Sequence, residues 1–211
     1  MKRSRQRTAP WLALVVAVIG LLGASQLTEG DLLRVVRTAW RAVESLQEPP
    51  QRGGRSTAQD HPAGQPFSGR PRIIDGDTFD LDGTRVRMQG IDALEHDQQC
   101  NRRGGGRFAC GAAARDALSE LIGGREVTCT PDGSLTHDRV VAACTVRRGD
   151  GTVLDLNEAM VRSGLAFDCP RFSKGRYAGA EAAARAEGAG AWAGRFAYPW
   201  SHRDRAGACG R

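Results

Sequence analysis

The stretch Arg72-Ile73-Ile74-Asp75-Gly76-Asp77-Thr78-Phe79-Asp80-Leu81-Asp82-Gly83-Thr84-Arg85-Val86-Arg87-Met88-Gln89-Gly90-Ile91-Asp92-Ala93-Leu94-Glu95 decides the fold class. Two Asp-Gly dipeptides, Asp75-Gly76 and Asp82-Gly83, interrupt short runs of alternating apolar and polar residues. Asp-Gly supplies the left-handed backbone of tight hairpin turns, so the spacing predicts strands Arg72–Asp75, Thr78–Leu81 and Arg85–Ile91.

Downstream, residues 111–122 place Ala114, Leu118 and Leu121 on one helical face before Gly123-Gly124. Arg125–Thr130 and Arg139–Val146 alternate again as strands. Leu156–Ser163 reads as a short helix stopped by Gly164, and Tyr177–Glu187 as a last, Ala-rich helix stopped by Gly188. Five strands with helices after the third and at the end imply an α+β domain. The expected form is a five-stranded, closed β-barrel of the OB type with about three packed α-helices.

The chain has 211 residues, a formal net charge of +6 and a pI near 9.4. Its length suits one domain with extensions. Residues 1–69 hold 9 Lys/Arg and 5 Asp/Glu, whereas residues 70–211 hold 21 and 19. Most of the basic excess thus lies outside the expected domain, and the overall charge says little about a nucleic-acid partner.

Lys2, Arg3, Arg5 and Arg7 precede the apolar run Trp11–Ala24, a pattern of a secretory signal. Extended to Leu27, the run is a short N-terminal anchor, and membrane association is expected through residues 11–27. Residues 1–27 are therefore read as a signal peptide or anchor, and the remainder as exported to the periplasm or the exterior. Residues 28–69 contain an amphipathic helix at 31–47, with Leu32, Val36, Trp40, Val43 and Leu46 at helical spacing, and then a Pro/Gly-rich linker. The domain is expected over 70–203, followed by a C-terminal tail at 204–211.

All six cysteines lie in residues 70–211, and none form a C-x-x-C pair. An even number confined to the folded part of an exported chain reads as disulfides rather than zinc ligands. Six cysteines allow 15 pairings. The preferred set is Cys100–Cys110 across a loop, Cys129–Cys144 between neighbouring strands, and Cys169–Cys209 tethering the C-terminus.

Three segments carry chemistry: Ile74-Asp75-Gly76-Asp77-Thr78, then Arg87-Met88-Gln89-Gly90-Ile91-Asp92-Ala93-Leu94-Glu95, then His137-Asp138-Arg139. Their order and spacing resemble the staphylococcal-nuclease (thermonuclease) family, with its I-D-G-D-T, R-L-x-G-I-D-A-P-E and D-x-Y-G-R segments. Asn157-Glu158-Ala159-Met160-Val161-Arg162-Ser163-Gly164-Leu165-Ala166 resembles a further family helix, and Gly190-Ala191-Trp192 closes the match.

The residues themselves suit the same chemistry. Asp77 and Asp92 offer hard carboxylate oxygens of the kind Ca²⁺ accepts. The resemblance implies that they bind Ca²⁺ together with the backbone carbonyl of Ala93. Glu95 is placed to orient or deprotonate an attacking water. Arg87 and Arg139 carry planar guanidinium groups that match the charge developing on a phosphodiester. Asp75 and Asp82 read as turn residues.

The function expected is an exported, Ca²⁺-dependent phosphodiesterase, an endo- or exonuclease acting on DNA or RNA. The resemblance implies 5′-hydroxyl and 3′-phosphate products. The alternative is a non-catalytic OB-type module binding nucleic acid or protein in the cell envelope; no protein partner is indicated. Leu94 stands where the family has proline, and His137-Asp138 where it has Tyr-Gly. His137, Arg171, Lys174 and Tyr177 are the candidate substrate contacts, although Tyr177 also suits the core of the last helix and the basic loop also suits solvent.

Overall fold

Hairpins form at both Asp-Gly dipeptides, the first through Gly76-Asp77 without a left-handed backbone and the second through Asp82-Gly83. A computed structural model describes residues 61–210, and the N-terminal apolar run and amphipathic segment lie outside those residues. Strand β1 (Phe67–Gly69) is followed by β2 (Pro71–Asp75), β3 (Thr78–Leu81), β4 (Thr84–Met88) and β5 (Ile91–Ala93). Asp82 and Gly83 take φ of 50° and 93°, the paired left-handed conformation a two-residue hairpin needs. β1 falls inside the segment whose composition reads as linker.

The single strand expected over Arg85–Ile91 is two strands. Gly90, at φ 73°, turns the chain between β4 and β5, and a Cβ there would lie 2.9 Å from Ser173. Close approach and a left-handed backbone together require glycine.

Strands β6 (Cys100–Arg102) and β7 (Arg107–Phe108) form a hairpin before helix α1 (Cys110–Ile122). Then come β8 (Val127–Thr136), β9 (Arg139–Arg147), β10 (Val153–Asp155) and helix α2 (Leu156–Arg162). β11 (Ala166–Asp168), α3 (Pro170–Ser173) and α4 (Ala178–Glu187) follow. A 3₁₀ turn at Gly190–Ala193, strand β12 (Gly194–Arg195) and helix α5 (Pro199–His202) complete the order.

The main sheet has seven strands in the order β1-β8-β9-β4-β3-β2, with β10 added on β9. β4 and β9 run parallel, pairing Val86 with Val140 and Arg87 with Val141. Among the described residues no ladder joins β2 back to β1, so the closed five-stranded barrel expected from the sequence is instead an open, mixed sheet. The cause is local. After Gly90 the chain leaves the sheet, and β5 pairs with β11. The fold is α+β, as expected.

Phe79, Val86, Met88 and Val127 from the sheet pack with Leu118 of α1 and Leu156 and Met160 of α2 in one buried cluster. The buried Asn157 holds α2 to the sheet. Its Oδ1 accepts from the Cys144 amide and its Nδ2 donates to the Gln89 carbonyl, both at 2.9 Å. A buried amide satisfied on both sides specifies this docking better than an apolar side chain can.

The three disulfides are those preferred from the sequence: Cys100–Cys110, Cys129–Cys144 and Cys169–Cys209. Beside the last of them Phe167 anchors an aromatic cluster, stacking on Phe196 at 5.0 Å with Trp192, Tyr198 and Trp200 at its edges. Disulfide and rings together fasten the C-terminal segment to β11.

Candidate active site

Asp77 opens the site in the turn just before β3, and Asp92 sits in the middle of β5. Both are almost wholly buried, at 1% and 2% exposure. Arg87, on β4, lies between them. Its Nη1 donates to Asp77 Oδ1, and its Nη2 donates to Asp92 Oδ1 at 2.5 Å. The alternation of β4 turns Val86 and Met88 into the core and Arg87 to the opposite face, where the carboxylates wait.

Asp77 is further held by the Ala93 amide, which donates to Oδ2 at 2.7 Å, and by the Thr78 hydroxyl at 3.0 Å. Burial nevertheless outweighs these donors and Arg87, and raises the Asp77 carboxyl to about 6. Burial alone would lower the Arg87 guanidinium, but Asp77 and Asp92 outweigh it and raise its pKa.

Glu95 leaves β5 on a short loop that is firmly held. Its amide donates to Gln98 Oε1 at 3.1 Å, and the Gln98 amide donates back to the Glu95 carbonyl at 2.8 Å. Leu94, in place of the family's proline, is fully buried and donates its amide to Leu165. Packing and hydrogen bonding thus supply the order that a ring would otherwise impose. Burial raises the Glu95 carboxyl, against the lowering effect of Arg203.

Arg203 is the residue that sequence reasoning missed. It follows α5 near the C-terminus, and its Nη2 donates to Asp92 Oδ2 at 2.6 Å while its Nη1 donates to Glu95. One guanidinium therefore bridges two of the three carboxylates. No motif surrounds it in the sequence; its only signal is a basic residue in a segment that a disulfide would draw back onto the fold.

Arg139 begins β9 beside a turn in which His137 and Asp138 have φ of 48° and 59°. Asp138 takes the left-handed backbone at the position where the family has glycine. Arg139 Nε donates to the Thr136 carbonyl at 3.1 Å, and Nη2 lies 3.4 Å from His137 Nδ1. Burial lowers its pKa, and the fields of Arg87 and Arg203 add to that while Asp77 opposes it. Arg139 therefore shares the electrostatic environment of the cluster, with His137 at its side.

The other candidate contacts lie elsewhere. Tyr177, read from the sequence both as a candidate substrate contact and as a core residue of the last helix, is core: it is 2% exposed and packs under Gly90, with burial pushing its hydroxyl to about 12. The Arg171 amide donates to the Cys209 carbonyl, and Lys174 Nζ to the Arg171 carbonyl at 3.1 Å. These contacts join the loop to the C-terminal tail and not to the carboxylates.

The donor set agrees in kind with a hard cation. Asp77 and Asp92 present buried carboxylates whose charge already converges on a guanidinium, and Ca²⁺ takes much of its coordination from water. Ala93 meets this pair through its amide rather than its carbonyl. Among the described residues no group of three or more His, Cys, Asp or Glu is arranged to hold a metal, so protein ligands would be few.

Residues 85–194 match the family described as staphylococcal nuclease homologue. That match includes Arg87, Asp92, Glu95 and Arg139, while Asp77 and Arg203 lie outside it. The chain is also similar to the succinoglycan biosynthesis protein ExoI of Rhizobium meliloti (strain 1021). The two are 35% identical over 131 residues, covering 62% of this chain and 66% of that protein. With the family's match covering half of the chain and its segments assembled around one carboxylate cluster, the chain belongs to the staphylococcal nuclease homologue family.

Proposed function

We propose that this chain is an exported, Ca²⁺-dependent nuclease that hydrolyses phosphodiester bonds of DNA or RNA. The observation that carries the reading is one cluster of three carboxylates, in which Arg87 pairs with Asp77 and Asp92 and Arg203 pairs with Asp92 and Glu95, with Arg139 in the same field. Three disulfides support an oxidising compartment.

In this reading Asp77 and Asp92 hold the cation, which when bound supplies positive charge for the scissile phosphate. Glu95 takes the proton of a water attacking phosphorus in line. Arg87 and Arg139 neutralise the growing charge on the phosphoryl oxygens. The bond from phosphorus to the 5′ oxygen breaks and that oxygen takes a proton from solvent, leaving a 5′-hydroxyl and a 3′-phosphate, as the family resemblance implies.

A second reading has one observation on its side. Arg203 already pairs with Asp92 and Glu95, so a non-catalytic module of the family can hold the same network as a structural ion cluster. Incubating the oxidised full-length protein with single-stranded DNA, with Ca²⁺ or with chelator, separates the two. The nuclease cleaves only with the cation and yields 3′-phosphate ends. Folded protein that leaves the DNA intact under both conditions is the binding module.

A further inference from the structure

The hairpin β6–β7 and strand β12 make a small sheet of their own beside the catalytic loop. Arg102, Arg103, Arg107 and Arg195 all stand exposed on it. Among the described residues none of the four is paired with a carboxylate. Asn101, Arg102, Arg103, Arg195, Trp192 and the Gly104-Gly105-Gly106 turn enclose a groove of about 540 Å³.

No Asp or Glu contributes to the groove. Its side-chain polar groups are the guanidinium groups of Arg102, Arg103 and Arg195 and the Asn101 amide. Arg102 lies over the Phe108 ring at 4.8 Å. Stacking of this kind uses the face of the guanidinium and leaves its in-plane N–H donors for a ligand. A surface so rich in donors, bearing unpaired positive charge, selects a multiply charged anion.

The groove is also coupled mechanically to Glu95. The same Gln98 side chain that accepts from the Glu95 amide donates to the Ala197 carbonyl at 2.6 Å, two residues beyond β12. The Cys100–Cys110 disulfide closes the base of the hairpin. The arginines are thus held at a set position relative to the catalytic loop.

We propose that this arginine groove is an extended binding site for the phosphodiester backbone of a single-stranded nucleic acid. It engages phosphates beyond the one at the carboxylate cluster, so the protein favours long strands over small diesters. The choice of substrate class rests on the nuclease reading; the groove itself does not. Planar guanidinium groups with aromatic rings beside them suit phosphates and bases better than sugar carboxylates.

The test is fluorescence anisotropy of a labelled 20-nucleotide oligothymidylate with chelator present, using the full-length protein and the variant Arg102→Ser/Arg103→Ser/Arg195→Ser. The variant is expected to bind at least tenfold more weakly, with its log-log salt slope shallower by about 2, as three lost contacts at about 0.7 each imply. Its rate on bis(p-nitrophenyl) phosphate is expected to equal that of the parent. Arg103→Glu, a change at the exposed turn, repeats the binding comparison without touching Phe108.

Affinity within twofold of the parent for both variants overturns the proposal. So does an acidic polysaccharide that displaces the oligonucleotide at lower charge concentration than DNA itself. A parent protein that binds the strand through these arginines but hydrolyses neither substrate rejects the nuclease reading and leaves the groove standing.

Discussion

Arg203 Nη2 donates to Asp92 Oδ2 at 2.6 Å across 111 residues of sequence, and the same guanidinium pairs with Glu95. A monovalent cation carried by the protein thereby sits on a carboxylate proposed to hold a divalent one. The two interactions compete for the same charge.

Removing Arg203 therefore has opposite effects on metal and on turnover. Arg203→Ala is expected to bind Ca²⁺ about tenfold more tightly by titration calorimetry, or ~1.4 kcal/mol. It is also expected to lower turnover, because Glu95 loses the partner that orients it. Unchanged Ca²⁺ affinity would show that the guanidinium does not oppose the cation.

Glu95→Gln keeps the shape of the side chain and loses the carboxylate proposed as the base. Turnover on single-stranded DNA is expected to fall about 10²- to 10⁴-fold with the thermal transition little changed. Arg139→Ala is expected to cost about 10²- to 10³-fold, as for loss of one preorganised donor. Full activity in both variants would place the chemistry elsewhere.

The Asp77 carboxyl, raised to about 6 by burial, makes cation-free stability depend on pH. The folded pKa exceeds the unfolded one, so the stabilising contribution is complete below about 4 and is lost as pH rises through about 6. Denaturant titrations without Ca²⁺ are expected to show a loss of up to ~3 kcal/mol from this group over that window. Added Ca²⁺ is expected to restore stability above pH 6, where the carboxylate is ionised; a flat profile would contradict the burial argument.

Gly111, at the first turn of α1, abuts the Glu95 loop, and a Cβ there would lie 1.6 Å from the Glu95 carbonyl oxygen. Gly111→Ala must push helix and loop apart. A loss of about 1–3 kcal/mol is expected by thermal melting, with turnover falling further than stability because Glu95 moves. Parent-like stability would mean the loop yields freely.

The Cys169–Cys209 disulfide fastens the segment that delivers Arg203. Replacing both cysteines with serine is expected to cost about 2–4 kcal/mol. Proteolysis is then expected to begin beyond Trp200, and Ca²⁺ affinity to shift in the direction seen for Arg203→Ala. Retention of the parent's protease pattern would show that the aromatic cluster suffices.

Local chemistry made much of the molecule legible in the chain alone. Asp82-Gly83 dictates a hairpin because few residues tolerate a left-handed backbone, and the alternation of Val86-Arg87-Met88 assigns each side chain to a face. The motifs accordingly identified the family, and the pairing of the six cysteines was chosen correctly. Arg203 and the escape of β5 from the sheet after Gly90 had no local signature. Both depend on what lies across space: a disulfide-drawn C-terminus, and Ser173 pressed against Gly90. Side-chain periodicity and turn preference act over a few residues and are written in order along the chain. The meeting of Arg203 with Asp92 and Glu95 follows from packing between distant segments, and only the tertiary structure decided it.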